Sequence, residues 1–249
     1  MATKQLKATT VEPTEMALFS EAPQIDGSGR GSEGVSTSDL VIPRLEIVQD
    51  LSPQRKKTDP AYIPGAEEGM MFNTVTKELY PTGVIIVPVL FRKEFIIWKN
   101  RQKGGGFAGS FETVEAALHA LSEMENRGDY EIQDTHQNFC LVLHPESTAE
   151  DPIVGEIVLS FSKTKMKIGR QLNSMIKMRG GDRWSSAYRL EVVQATSDKG
   201  DYFNYKVTPI GYVSPATAAL AERMYEEVKS FRKDISREAV AEGAEETTY

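Results

Sequence analysis

Basic residues are concentrated between positions 162 and 189, although the 249-residue chain as a whole carries a formal net charge of −7. This segment holds a single acidic residue, Asp182, so its local charge is +7. Clustered cations bind polyanions because they neutralise phosphate groups. The basic residues of the segment are Lys163, Lys165, Lys167, Arg170, Lys177, Arg179, Arg183 and Arg189.

The spacing of these cations predicts a helix over residues 163–178 with one basic side. At about 100° per residue, four cations fall within roughly 80° of one another, namely Lys163, Lys167, Arg170 and Lys177. The opposite side is apolar and consists of Ile168, Leu172, Met175 and Ile176. Such a helix can pack on a core and present a row of cations to a sugar-phosphate backbone. The alternative is a solvated amphipathic helix whose lysines only keep the protein in solution.

A second basic segment surrounds Trp98 and comes directly before three glycines at positions 104–106 and Phe107. Its cations are Arg92, Lys93, Lys99, Arg101 and Lys103. Single-stranded nucleic acid is bound by this mixture, because bases stack on aromatic rings while phosphates contact cations. We therefore predict contacts from Arg101, Lys103 and Trp98. The alternative is that Trp98 and Phe107 pack in the core and the glycines form a turn.

Aromatic residues also lie within and after the first basic segment. Trp184 and Tyr202 are predicted to stack on bases. On a strand, Phe203 and Tyr205 share one face while Tyr202 points to the other, so one face can pack while the other contacts a ligand. The predicted nucleic-acid-binding set is completed by Lys163, Lys165, Lys167, Arg170, Lys177, Arg179 and Arg183.

The spacing of the histidines and the single cysteine argues against a metal site. His136, Cys140 and His144 are four residues apart, and four residues of a strand span roughly 13 Å, so these side chains cannot meet at one ion. The sequence also lacks the Gly-rich loop that binds nucleotide phosphates and the nucleophile motifs of hydrolases. We expect no catalytic residue, no metal and no cofactor, and we interpret the protein as non-enzymatic.

Composition divides the chain into four segments. Residues 1–38 are polar and end in a Gly/Ser-rich run, which predicts a disordered arm. Residues 39–213 form the predicted core and residues 214–237 a C-terminal helix. Residues 238–249 contain no Lys or Arg and are predicted to form a mobile acidic tail. The tail can cover a basic surface or bind basic partner proteins, and its candidate partner-binding residues are Glu242, Glu245, Glu246 and Tyr249.

Short apolar and aromatic segments predict that the core is mainly β with α-helices, an α+β protein with a small antiparallel sheet or barrel. Strands are expected over residues 44–48, 84–91, 95–98, 139–143, 153–161, 188–195 and 202–208. A bulge or sheet edge is expected at Pro88, because proline cannot donate to a ladder. Helices are expected over residues 111–125, 163–178 and 215–235, the first of them capped by Thr113.

Several strings of the core resemble a group of phage single-stranded-DNA-binding proteins. They are Ile42-Pro43-Arg44-Leu45, Phe72-Asn73-Thr74-Val75-Thr76, Trp98-Lys99-x-Arg101-x₂-Gly104-Gly105-Gly106, and the basic 163–178 helix followed by Tyr188-Arg189-Leu190. The resemblance covers residues 40–213. It implies an OB-like antiparallel barrel of five strands, with the basic amphipathic helix and the C-terminal helix added, and DNA in a groove lined by cations and aromatic rings.

The expected function is therefore coating of single-stranded DNA during phage DNA replication or recombination. The acidic end, which closes on an aromatic residue, resembles tails that dock replication proteins, so a polymerase, helicase or primase is the expected partner. We expect a cytoplasmic protein of the host cell without membrane contact, because no apolar run approaches the roughly 18 residues that cross a bilayer.

Two other functions agree with the same residues. One is a phage interaction protein that binds a host enzyme through its acidic surface, and the other is a strand-annealing recombination factor. The sequence leaves open whether the protein forms a homodimer.

Overall fold

The computed structural model describes Val41 and residues 43–197 and 200–230. Its first element is a small antiparallel sheet with strands β1 (Leu45–Ile47), β2 (Met71–Asn73) and β3 (Leu79–Tyr80), in that spatial order. Leu45 and Ile47 are buried on either side of the partly exposed Glu46, as the sequence alternation predicted. One face of β1 is therefore available to cover another apolar surface.

Six strands of the described residues form a second, larger antiparallel sheet. They are β4 (Val84–Lys99), β5 (Phe107–Phe111), β6 (Tyr130–Leu143), β7 (Val154–Ser162), β8 (Ser186–Ser197) and β9 (Gly200–Tyr212). The spatial order is β7-β6-β4-β8-β9, and β5 pairs with β4. One edge of β4 pairs with β6 over nearly its whole length, whereas the other pairs with β8 at residues 84–86 and with β5 at residues 95–98.

Three α-helices accompany the sheets, namely α1 (Val114–Ser122), α2 (Met166–Arg179) and α3 (Pro215–Ser230). α1 begins after Thr113, whose hydroxyl accepts a hydrogen bond from the Ala116 N–H at 3.2 Å, so the predicted cap is confirmed. α2 follows a 3₁₀ turn at Lys163–Lys165 and stops at Gly180. Gly180 has a φ of 70°, a conformation that glycine adopts without steric cost at the end of a helix.

Alternation along the strands creates two apolar cores on opposite faces of the large sheet. The inner face packs against the small sheet and α2, through residues that include Leu45, Ile86, Leu159, Leu172 and Tyr188. The outer face packs against α3, through residues that include Val87, Phe139, Leu141, Ala221 and Met224. The sheet is thus covered on both sides at its centre.

One short segment links the small sheet to both edges of the large sheet. Arg44 forms a parallel bridge with Val158 of β7. At the opposite edge, the Gln49 side chain donates a hydrogen bond to the Phe203 carbonyl oxygen and accepts one from the Phe203 N–H, each at 2.9 Å. Residues 44–49 therefore lie between the edges of β7 and β9.

The predicted α+β class is confirmed. The OB-like barrel is not confirmed, because no continuous ladder closes the large sheet among the residues that the structure describes. The irregularity expected at Pro88 is confirmed by a register shift between Pro88 and Leu90. The prediction of two separate strands at residues 84–91 and 95–98 was wrong, since residues 92–94 also pair with β6 and the chain continues as the single strand β4.

Some predicted segments lie outside the described residues. They are the arm at residues 1–38, the acidic tail at residues 238–249, and the part of the C-terminal helix after residue 230. Residues 198–199, between β8 and β9, also lie outside them.

Gly169 allows α2 to approach the inner face closely. A Cβ atom at this position would lie 2.9 Å from Cβ and Cγ of Phe161 on β7. We expect Gly169→Val to force α2 away from β7 and to lower the free energy of unfolding by about 1–3 kcal/mol, measured by urea unfolding. Gln171→Val is the control, because it places the same β-branched residue on the exposed side of α2. Equal stability of the two variants would contradict the close packing.

Candidate nucleic-acid interface

The exposed side of α2 carries Lys167, Arg170 and Lys177. None of the three forms an ion pair with a carboxylate in the described part of the chain. At 1.5 Å per residue, the first and last of them lie about 15 Å apart along the helix. We call these three residues the cationic row.

Packing of the apolar side of α2 fixes the direction of the cationic row. Leu172 is fully buried in the inner core, and Ile168, Met175 and Ile176 are partly buried against it. These four residues are the ones that helical periodicity placed opposite the cations. The predicted division of the helix into an apolar and a basic side is confirmed.

Charges on α2 and on β4 both act on a histidine of the neighbouring strand β6. Burial lowers the pKa of His136 on β6, and the charges of Lys93 and Arg170 lower it further against the opposing effect of Asp134. Lys93 Nζ lies 3.2 Å from Asp134 Oδ2 and 4.8 Å from the centre of the Phe95 ring. A cation from α2 and a cation from β4 therefore act on the same part of the sheet.

Two lysines of the predicted set are paired with carboxylates. Lys163 Nζ lies 3.0 Å from Glu131 Oε1. Lys165 is buried, and its Nζ lies 3.3 Å from Glu46 Oε2 and 5.4 Å from the centre of the Tyr205 ring. Lys165 thus connects the start of α2 to the small sheet. Each of these lysines would have to break its ion pair with a carboxylate before it could bind a phosphate.

The two basic segments of the sequence meet at Glu131. Glu131 on β6 is the strand partner of Trp98 on β4. Its carboxylate also forms the ion pair with Lys163. The Trp98 ring contacts the Phe107 ring edge-to-face, with 5.9 Å between the centroids. Both aromatic residues are partly exposed, so they contact each other without being enclosed in a core.

Arg101 and Lys103 of the second segment lie in the 3₁₀ turn Arg101–Lys103, between β4 and β5. Lys103 Nζ lies 3.7 Å from Asp129 Oδ1. The side chain of Arg101 is not among those that the structure describes. Tyr202 is partly exposed on β9, on the face opposite the buried Tyr205, as the sequence alternation predicted.

Arg183 and Trp184 make internal contacts and do not join the cationic row. Arg183 Nη2 donates hydrogen bonds to Asn138 Oδ1 of β6 at 2.6 Å and to Asn173 Oδ1 of α2 at 2.7 Å. Burial lowers the pKa of this guanidinium, although a nearby thiol and phenol oppose the shift. The Trp184 ring packs against the outer core, with its centroid 5.2 Å from that of Tyr225 on α3.

Arg179, at the end of α2, contacts an aromatic residue that the sequence analysis missed. Its Cζ lies 5.1 Å from the centre of the Tyr212 ring, and its Nη1 lies 3.5 Å from Ser186 Oγ. Tyr212 is exposed at the end of β9. No local sequence signal distinguishes it, because its position depends on the register between β8 and β9.

Comparison with known proteins identifies a family. Residues 12–235 match the family described as Pam3 phage gp34-like protein. The chain belongs to the Pam3 phage gp34-like family. This assignment confirms the phage part of the expected identity, while the family description names no ligand. No curated protein and no solved structure matches the chain.

Other predictions for this gp34-like chain concern its C-terminal tail, membranes and metals. The predicted partner-binding residues lie outside the described residues; they are Glu242, Glu245, Glu246 and Tyr249. Within the described ranges, no helix is long and apolar enough to cross a membrane. The same ranges contain no group of three or more His, Cys, Asp or Glu side chains that could hold a metal ion.

The contacts of Arg183 predict a structural role for this residue in the gp34-like fold. We expect Arg183→Ala to lower the free energy of unfolding by about 2–3 kcal/mol, because it leaves two amide oxygens without their charged donor. Urea unfolding measures the change. Arg189→Ala removes an exposed arginine and is the control. If the Arg183 variant were as stable as the control, the internal role would be incorrect.

Proposed function

We propose that this protein is a non-enzymatic single-stranded-DNA-binding protein of phage DNA replication or recombination. The observation that carries the proposal is the cationic row, whose three exposed cations have no carboxylate partner among the described residues. A net charge of −7 already favours solubility, so these cations are not required to keep the protein in solution. Their exposure therefore favours a binding role for α2 over that of a merely solvated helix.

Phosphate is the ligand whose chemistry fits the cationic row. Among the described residues, no ion pair has to break before Lys167, Arg170 or Lys177 contacts an anion, whereas Lys163 and Lys165 are already paired. Binding of a single strand to these three residues releases counterions, so the logarithm of affinity should fall with the logarithm of salt concentration with a slope of about −2.

Partly exposed aromatic rings near other basic residues, outside the cationic row, favour a single strand over a duplex. Phe95 lies beside Lys93, and Trp98 lies opposite Glu131, the partner of Lys163. Unpaired bases can stack on such rings, whereas the bases of a duplex are already stacked on one another. We propose Trp98 and Tyr202 as further base contacts.

We also propose that the large sheet is an opened form of an OB-type barrel, which is a five-stranded and partly open architecture. Three features support this reading. β4, β6 and β7 form a meander, α2 connects β7 to β8, and β8 pairs back with β4. In this arrangement, residues 44–49 fill the gap between the edges of β7 and β9.

The first test reverses two charges of the cationic row. We expect the Lys167→Glu/Arg170→Glu variant to lose binding to oligo-dT, because two attractive contacts to phosphate become repulsive. A fluorescence titration of labelled oligo-dT at several salt concentrations measures both the affinity and the salt slope. Wild-type protein should bind the single strand more tightly than a duplex of the same length.

The control is Lys56→Glu/Lys57→Glu, which makes the same change in net charge at two exposed lysines of the β1–β2 connection. This variant should retain most of the affinity. If both double variants bind oligo-dT as wild type does, α2 is not the binding site. If wild type does not bind oligo-dT, the proposed function is wrong.

We further propose that the acidic residues 238–249 bind a replication protein, such as a polymerase, helicase or primase, when DNA occupies the cationic row. Deletion of these residues should preserve or strengthen oligo-dT binding, because it removes negative charge, and should abolish co-purification of the partner. A phage protein that only binds a host enzyme would also lose its partner on this deletion. In that case neither the full chain nor the shortened chain would bind oligo-dT.

A further inference from the structure

Tyr212 is an aromatic side chain that the fold leaves in solvent. It is the last residue of β9 and is 74% exposed. Its neighbourhood includes the end of α2, where Met178 is 86% exposed and Lys177 ends the cationic row. What singles out this exposed ring is its contact with Arg179 at the C-terminal end of α2, the helix that carries the cationic row.

A β-bulge directs Tyr212 toward α2. The ladder between β8 and β9 skips Ile210, so that Tyr212 pairs with Ser186. Because side chains alternate between the faces of a strand, the extra residue moves Tyr212 onto the inner face, where α2 lies. Bulges of this kind turn individual side chains and occur next to functional sites.

Arg179 covers one face of the Tyr212 ring. Its guanidinium carbon lies 5.1 Å from the ring centre, a distance at which a cation attracts the π-electrons of the ring. The Arg179 side chain is in turn positioned by Ser186, the strand partner of Tyr212. Arg179 therefore favours one orientation of the ring, while the large exposed fraction of Tyr212 leaves the other face open to a flat ligand.

We propose that Tyr212, backed by Arg179, is a stacking platform for one nucleobase of the strand whose phosphates contact the cationic row. This inference rests on the proposed function. An oriented ring loses little conformational freedom when a base stacks on it, and a nearby cation favours the strand that carries the base. The platform would lie at the C-terminal end of α2, so it also predicts where the strand leaves the helix.

The test compares two strands of equal length, oligo-dT and an abasic strand with the same phosphates but no bases. Tyr212→Ala should weaken oligo-dT binding about tenfold, the usual cost of losing one stacked base, and should leave binding of the abasic strand unchanged. Tyr212→Phe should retain the wild-type affinity, because it keeps the ring. Tyr62→Ala, in the β1–β2 connection, is the control for loss of a tyrosine elsewhere.

A tryptophan at position 212 tests the contact between this residue and a base by fluorescence, without a measurement of affinity. In Tyr212→Trp, oligo-dT should quench indole emission more than it does in wild type, while the abasic strand should leave the emission unchanged. Because position 212 is exposed, these substitutions should not alter the thermal unfolding curve, and that curve is recorded for each variant.

The outcomes separate the platform from the proposed function. If Tyr212→Ala binds oligo-dT as wild type does, or weakens binding of both strands equally, the platform is wrong and the function stands. If wild type binds neither strand, both are wrong. If wild type binds neither strand and Tyr212→Ala instead abolishes binding of a replication protein, the surface is a protein contact.

Discussion

The inner face of the large sheet has to be covered, because alternation gathers many of the apolar side chains of its strands there. The small sheet covers part of this face and α2 covers another part. One side of α2 is thereby committed to the core through Leu172, and the 3.6-residue period of the helix leaves Lys167, Arg170 and Lys177 in water. The cationic row is thus a consequence of core packing.

Two cations of the basic segment that do not join the row hold the helix in place. Lys165 connects the start of α2 to Glu46 of β1, and Arg183 joins Asn173 of α2 to Asn138 of β6. Buried charges of this kind are tolerated only when they have partners, and removal of a partner leaves a costly isolated group. The basic segment therefore contains cations that stabilise the fold through internal contacts and exposed cations that can contact a ligand. Composition alone does not distinguish these two roles.

Local patterns were sufficient to predict α2, its two sides, the cap at Thr113 and the irregularity at Pro88, because each depends on residues that are close in sequence. The partners of the cations could not be predicted in this way. Lys165 and Glu46 are 119 residues apart, and Arg183 and Asn138 are 45 residues apart. The prediction from sequence therefore overestimated the number of exposed cations. The position of the Trp184 ring likewise depends on a contact with α3, which is distant in the sequence.

The Gln49 side chain limits how two copies of the protein can pair through the edge of β9. An edge strand ordinarily offers unpaired N–H and C=O groups, which serve as a template for pairing with another chain. At Phe203 both groups are already bonded to Gln49 within the same molecule. Copies crowded at high local concentration are therefore prevented from joining edge to edge at this point, and the protein can accumulate without polymerising through β9 there.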